Sequence, residues 1–383
     1  MKPARIRLGM VGGGEGAFIG AIHRMAARLD DRYELVAAAL SSTPDKAQRS
    51  GRGLGLSDDR IYSDYEAMAR AEGARADGIE AVTIVTPNHL HAPVATAFLN
   101  AGIHVICDKP VTVASADAQA LLELSRERGL VFAVTHNYSG YPMVRHARQM
   151  VADGVLGDVR FVQVEYAQDW LAEPIERDGN KQAGWRTDPA QSGGGCIGDV
   201  GSHAWQLVDF VVGQPIDELS AELSSFVAGR AVDDNAQVML RWASGARGML
   251  WASQVAPGHA NDLRLRVYGS QGGIEWRQER PDELHWAALG QSTRIVTRGS
   301  AAANASAARV TRVPGGHPEG YLEAFATVYR EVADHLEAAR ASEGRPDPAA
   351  HFPTIADGLR GVKFIEAVQA SSRNNGGWTR LPS

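Results

Sequence analysis

An apolar run carrying Ile6, Leu8, Met10 and Val11 enters Gly12-Gly13-Gly14-Glu15-Gly16-Ala17 and then a helix-like segment from Ile19 to Leu29. This order of strand, glycine turn and helix constrains the fold more than any other feature of the chain. A tight bend needs a residue that accepts positive φ, close approach of backbone amides to an anion needs a second position without a Cβ, and a small residue further on lets helix and strand pack together. Gly12, Gly14 and Ala17 stand at those positions, with Gly16 beside them as a further expected contact, so the turn is expected to seat a dinucleotide pyrophosphate on the helix N-terminus.

The run of elements continues in the same style. Tyr33 to Leu40, Ala81 to Val85, His104 to Cys107 and Val131 to Thr135 are short apolar strands with helical stretches between most of them. Such alternation predicts a parallel sheet covered on both faces, a doubly wound α/β domain over residues 1–137. Prolines place Thr86-Pro87-Asn88-His89 and Asp108-Lys109-Pro110 at strand ends, where ligands of such sheets bind. Past Asn137 the pattern turns to repeated strands: Val159 to Tyr166, Glu218 to Val227, Ala236 to Trp242, Arg247 to Ser253 and Leu263 to Tyr268. Residues 138–383 are therefore expected to form an α+β domain on an open, largely antiparallel sheet, closed by helices from Gly320 to Ala341 and Thr354 to Ser371. The Ser-, Ala- and Thr-rich stretch Ser292 to Gly316 is expected to be a surface hairpin or mobile loop.

The 383 residues exceed what one hydrophobic core usually serves, and 44% hydrophobic with 22% charged residues is ordinary globular material. A net charge of −6 without basic clusters argues against nucleic acid or an anionic membrane as partner. With no apolar run of spanning length and a strand beginning close to Met1, a cytoplasmic location is the expectation. Cys107 and Cys196 are too few for a disulfide framework and are read as packed thiols.

Lys109, Asp199 and His203 are the candidate catalytic residues. Taking hydride from an alcohol carbon leaves a protonated carbonyl unless the hydroxyl proton also leaves, so a base within hydrogen-bond reach is required. Imidazole ionises in the right range for that task. Asp199 and His203, four apart at a helix start, are expected to share one face, with Asp199 holding a substrate hydroxyl or orienting the ring and Lys109 stabilising the developing alkoxide. A packing role for His203 and a helix-capping role for Asp199 are the alternatives. No metal is expected: Cys196, Asp199 and His203 bring a single thiol where zinc dehydrogenases typically use two.

The glycine turn, Thr86-Pro87-Asn88-His89-Leu90-His91, Cys107-Asp108-Lys109-Pro110, Gly198-Asp199-Val200-Gly201-Ser202-His203 and the closing helices before Gly377-Trp378 together resemble the Gfo/Idh/MocA oxidoreductases over nearly the whole chain. The resemblance implies oxidation of a hydroxyl on an inositol, sugar or glycoside with NAD or NADP, and makes Lys109 the family lysine with Asp199 and His203 as companions. Asp108 departs from the usual Glu before that lysine; the charge is kept and the reach shortened. Thr86, Pro87, Asn88, His91, Asp108 and Lys109 are the expected cofactor contacts beyond the glycine turn, with Ser41 and Ser42 at the ribose. These serines stand where an NAD-selective site usually places an acid, with Lys46 or Arg49 near enough in sequence to help a 2′-phosphate, so NAD and NADP both stay open. Asn137, Tyr138, Gln168, Trp170, Trp185 and Arg186 are the expected substrate contacts, because aromatic faces take the C–H side of a sugar and polar groups its hydroxyls. A homodimer or homotetramer through the open sheet is expected. Two other classes remain in view: an enzyme that retains its nicotinamide to cleave or epimerise a glycoside, and a regulator without turnover.

Overall fold

A computed structural model of the protein describes residues 4–341 and 350–381. Two compact units emerge: one gathers Met1–Asn137 with Leu322–Leu359, the other Tyr138–Tyr321 with Arg360–Ser383. The expected division at 137/138 is thus one of several crossings, and 322–359 returns to the first unit instead of staying with the second. Side-chain bonds explain the return: Tyr33 Oη donates to the Tyr329 carbonyl at 2.8 Å, and Arg32 pairs with Asp334 at 2.7 Å and Glu337 at 2.8 Å.

In the first unit β1 (Ile6–Gly12), α1 (Phe18–Leu29), β2 (Tyr33–Ala39), α2 (Pro44–Gly53), α3 (Tyr65–Ala74), β3 (Ala81–Val85), α4 (His91–Asn100), β4 (His104–Cys107), α5 (Ser115–Arg128) and β5 (Phe132–Val134) follow one another. The five strands are parallel in the order β2-β1-β3-β4-β5. Every residue of β3, β4 after His104, and β5 is buried, as expected of strands covered on both faces. The chain leaves β1 toward β2 on one side and places β3 on the other, so the topological switch lies between β1 and β3, at whose carboxyl ends ligands of such sheets bind.

The second unit contains α6 (Pro142–Ala152), β6 (Val159–Ala167), α7 (Lys181–Arg186), α8 (Pro189–Ser192), α9 (Ser202–Val212), β7 (Ile216–Ser224), β8 (Asn235–Trp242), β9 (Arg247–Ser253), β10 (Asp262–Gly269), β11 (Gly272–Arg277), β12 (Glu283–Ala288), β13 (Arg294–Thr297) and α10 (Ala305–Val310). After them come α11 (Tyr321–Ala341), α12 (Ile355–Arg373) and β14 (Thr379–Arg380). Nine strands make one sheet in the order β13-β12-β11-β10-β6-β9-β8-β7-β14, antiparallel throughout except for the parallel pair β6 and β9. Alternation is clean: Val162, Val164, Val238, Leu240, Leu250, Leu263, Leu265 and Val267 are buried on the face toward α6 and α9, while Met239, Met249 and Tyr268 are exposed on the other.

Of the two forms expected for residues 292–316, the structure shows a hairpin arm followed by a helix and not a mobile loop. Arg294–Thr297 pairs antiparallel with β12 as an edge strand, and Ala305–Val310 is a helix whose Ala307 and Val310 are buried against α6. Arg298, 2% exposed, donates to Asp282 at 2.6 Å and to Glu319 at 3.0 Å and so pins the segment.

Candidate active site

In the first unit all predicted cofactor residues follow carboxyl ends of parallel strands: the glycine turn after β1, Ser41 and Ser42 after β2, Thr86 to Asn88 after β3, Asp108 and Lys109 after β4. Gly12, Gly13 and Gly16 take φ of +81°, +72° and +78°. A Cβ on Gly12 would lie 2.8 Å from the Val85 carbonyl, and one on Gly14 2.6 Å from the Leu40 carbonyl, so this cradle admits only glycine at both. The close helix-to-strand approach lies elsewhere than expected. It is made by Gly13 against Gly20, where a Cβ on Gly13 would stand 2.8 Å from the Gly20 Cα; Ala17 merely opens α1, its N–H donating to the Gly14 carbonyl at 3.0 Å. Thr86 Oγ1 and Asn137 Nδ2 are buried with no hydrogen-bond partner among the described residues, an arrangement that costs stability unless a ligand pairs with them. The glycine cradle and Thr86 Oγ1 fit a dinucleotide, and Asn137 Nδ2 fits a polar group of a substrate.

His91 opens α4, three residues past Asn88. Its ring is fully buried between the Pro110 and Thr86 carbonyls, each 2.9 Å from a ring nitrogen, and burial pushes its pKa down. The neutral ring has one N–H to give, so it donates to one of these carbonyls and turns a lone pair toward the other. Asp108 is likewise engaged: its Oδ1 accepts from the Lys109 N–H and the Thr135 hydroxyl, both at 2.9 Å, tying the ends of β4 and β5. Ser41 Oγ accepts from the Thr43 N–H at 3.1 Å, and Ser42 is exposed.

In the second unit Asp199 lies within a π-helical turn, Ile197–Gly201, that runs directly into α9, which carries His203. Asp199 is therefore inside a continuous helix and not its cap. Such turns, with their wider i to i+5 bonding, recur at functional sites. Asp233 holds the turn in place: its Oδ1 accepts from the Gly195 N–H at 3.0 Å, its Oδ2 from Ile197 at 2.7 Å, and its carbonyl from Cys196 at 2.8 Å. Around Asp199 Oδ2 stand Gln254 Nε2, donating at 2.9 Å, and Arg186 Nε at 3.4 Å. The Arg186 guanidinium lies 4.2 Å above the Trp185 ring and 5.9 Å from that of Trp170.

His203 packs its ring edge-on against Tyr138 with centroids 4.8 Å apart. Tyr138 Oη and Tyr166 Oη are 2.6 Å apart, Tyr166 donates to Asn261 Oδ1 at 2.7 Å, and Gln168 donates to the same oxygen at 2.7 Å. Burial raises the pKa of both phenols, so they act here as neutral hydrogen-bonding groups. Four of the predicted substrate residues, Gln168, Trp170, Trp185 and Arg186, thus form networks with or beside Asp199, His203 and Tyr138. Gln254, Asn261, Tyr166 and Asp233 were not foreseen; each is a common residue at a strand end or interior, and no sequence motif marks it.

Cys107 and Cys196 are buried free thiols, pushed further toward the protonated form by burial. Among the described residues no group of three or more His, Cys, Asp or Glu side chains is gathered for a metal ion. No helix there is long and apolar enough to cross a membrane.

Residues 6–136 match the family profile described as oxidoreductase family, NAD-binding Rossmann fold, and residues 144–275 match the GFO/IDH/MocA C-terminal domain. An oxidoreductase structure from Sinorhizobium meliloti is 53% identical, covering 98% of this chain and 99% of its own, with a TM-score of 0.89. An inositol dehydrogenase homologue from Azotobacter vinelandii, solved with NADH and myo-inositol, is 34% identical over 98% of this chain and 97% of its own, with a TM-score of 0.92. Levoglucosan dehydrogenase of Pseudarthrobacter phenanthrenivorans is 28% identical over 74% of this chain and 76% of its own.

Proposed function

This chain belongs to the Gfo/Idh/MocA oxidoreductase family, with residues 6–136 as its NAD-binding Rossmann domain, and from that premise we propose that it moves a hydride between a hydroxyl carbon of a cyclic polyol, sugar or glycoside and nicotinamide. One observation carries the choice of substrate class: Asp199 sits among Gln254, Arg186 and the Trp185 face, an assembly of hydroxyl-binding groups beside an aromatic surface. The polyol and anhydrosugar named for the relatives above support the same class.

Bound nicotinamide supplies the hydride acceptor; the chain's residues manage the proton and the charge. His203 takes the hydroxyl proton as general base, a step worth roughly 10²–10⁴-fold in rate. The Lys109 ammonium stabilises the developing alkoxide oxygen, which lowers the barrier more than it strengthens ground-state binding. Asp199 accepts a hydrogen bond from a substrate hydroxyl, its geometry kept by Gln254 and Arg186. Gln168, Trp170, Trp185, Asn137 and Tyr138 frame the ring. Ser41 and Ser42 fit a ribose or a 2′-phosphate.

The exposed sheet face, with Met239 50% and Tyr268 45% exposed beside ion pairs such as Arg266 to Glu165 at 2.6 Å, supports a homodimer or homotetramer through that sheet; light scattering on the purified chain measures it. The activity is tested by the near-ultraviolet absorbance of reduced nicotinamide with inositols, aldoses and glycosides, each with NAD and NADP. A rise that disappears in Lys109→Ala supports the dehydrogenase and ranks the cofactors. No rise with any pair, together with a nicotinamide set free on denaturation, overturns it in favour of a cofactor-retaining enzyme.

A further inference from the structure

We propose that His23 is a positioning residue for the Asp108-Lys109 segment, donating from Nε2 to the Asp108 carboxylate, and that Tyr329 and Thr83 set its tautomer from behind. The inference rests on the reading of Lys109 as the group that meets the substrate oxygen.

His23 is fully buried on α1. Its Nδ1 lies 2.8 Å from Tyr329 Oη, and that oxygen lies 2.9 Å from Thr83 Oγ1 on β3. Its Nε2 faces Asp108 Oδ1 at 3.9 Å and makes no hydrogen bond among the described residues. The Phe325 and Tyr329 rings meet it edge-on at 5.0 and 5.9 Å.

The polarity of this chain of groups follows from electrostatics. Burial pushes the His23 pKa down to about 4, so near neutral pH the ring carries a single proton. A bare lone pair on Nε2 pointed at a carboxylate in a poorly screened interior is repulsive, so the proton belongs on Nε2. Nδ1 is then an acceptor, Tyr329 Oη–H donates to it, and Tyr329 Oη in turn accepts from the Thr83 hydroxyl. In this arrangement every polar hydrogen of the relay is used except Nε2–H, which stands less than 1 Å beyond the usual hydrogen-bond range of about 3.2 Å from Asp108. At 3.9 Å the N–H dipole still faces the carboxylate charge, and a small shift of either side chain brings the pair into hydrogen-bond range.

Asp108 is the joint on which the geometry turns. Its Oδ1 already receives the Lys109 N–H and the Thr135 hydroxyl, so a third donor at that oxygen fixes the carboxylate and, through it, the backbone from which the Lys109 side chain departs. Tyr329 reaches the relay from α11, 306 residues along the chain, which gives the return of 322–359 to the first unit a role beyond packing.

Nitrogen-15 NMR of the full chain with labelled histidine, the His23 signal assigned by its loss in His23→Gln, tests the arrangement directly. A protonated Nε2 is expected; a protonated Nδ1 overturns the relay. In turnover, Tyr329→Phe and His23→Leu are expected to lower kcat by about tenfold with KM for polyol and dinucleotide held within about twofold, the cost of a slightly misplaced group. His23→Gln, whose amide nitrogen can stand where Nε2 stood, is expected to recover most of that loss. Equal losses in the Leu and Gln variants, in step with their melting temperatures, would reduce His23 to a packing residue. If the wild-type chain turns over no polyol the dehydrogenase reading fails, while the tautomer still decides the relay.

Discussion

At the scale of single residues, the second unit's carboxylate is held by neighbours that can be removed one at a time. Gln254 donates to Asp199 Oδ2 at 2.9 Å, and it sits in the unit without the glycine turn. Gln254→Leu is therefore expected to lower kcat/KM for the polyol by about tenfold, the kinetic equivalent of one lost hydrogen bond to a charged group of roughly 1.5 kcal/mol, while KM for the dinucleotide stays put. Equal movement of both constants in steady-state kinetics would sink that assignment. The thiols make a second residue-scale prediction. With Cys107 and Cys196 buried and held protonated, the native chain should give no reaction with an aromatic disulfide reagent and two equivalents after unfolding.

At the scale of elements, the π turn Ile197–Gly201 depends on one side chain from the loop before β8. Asp233 is the acceptor for the Gly195 and Ile197 N–H groups, and a Cβ on Gly195 would overlap the Asp233 carbonyl. Asp233→Ala removes two charge-assisted bonds from a buried site and should cost on the order of 3 kcal/mol, seen as a lower melting temperature by circular dichroism; Asp233→Asn, which keeps one carbonyl oxygen, should cost less. Equal melting of Asp233→Ala and the wild type would show that the turn holds itself. The elements also show what a reader of the sequence can reach. The five strands of the first sheet were legible because each is a largely apolar run bounded by turns, a pattern that burial on both faces makes obligatory in β3 and β5. Arg294–Thr297 was legible only as part of a hairpin alternative and Ala305–Val310 not at all, since a four-residue edge strand and an alanine-rich helix bury only a few small side chains and carry no periodicity of their own. The site divides the same way. Motif-borne residues at strand ends could be located, whereas His23 and Tyr329, or Asn261 and Gln168, become partners only through tertiary folding that no local pattern encodes. His91 shows the same: the Pro110 and Thr86 carbonyls that flank its ring nitrogens are brought there by folding and not by a local pattern.

At the scale of the whole molecule, buried neutral histidines govern how the fold answers to acid. His23 is pushed down to about 4 by complete burial, and His104 to about 4 by burial with the Arg340 charge adding to it. The His104 Nδ1 also accepts the Val131 N–H at 3.0 Å, a bond that protonation abolishes. Each ring has a lower pKa folded than unfolded, so between the two values the unfolded chain binds more protons and stability rises with pH. The stabilisation is complete above the unfolded value of 6.5 and is lost as pH falls toward about 4. On the scale of 1.36 kcal/mol per pH unit, each ring accounts for roughly 3 kcal/mol across that window. Carboxylates with lowered pKa, such as Glu176 beside Arg230, titrate below their ordinary 4.5, while Asp233, raised by burial, works against the imidazoles and makes the drop shallower. The urea midpoint of the full chain is thus expected to be level from pH 7 to 8 and to drop between pH 6.5 and 5. His104→Gln, which carries no titrating ring, should show a shallower drop over the same interval. A midpoint unchanged from pH 7 to 5 would mean that these rings reach water in the folded chain, and with it the enclosed His23 site beneath Asp108 would be lost.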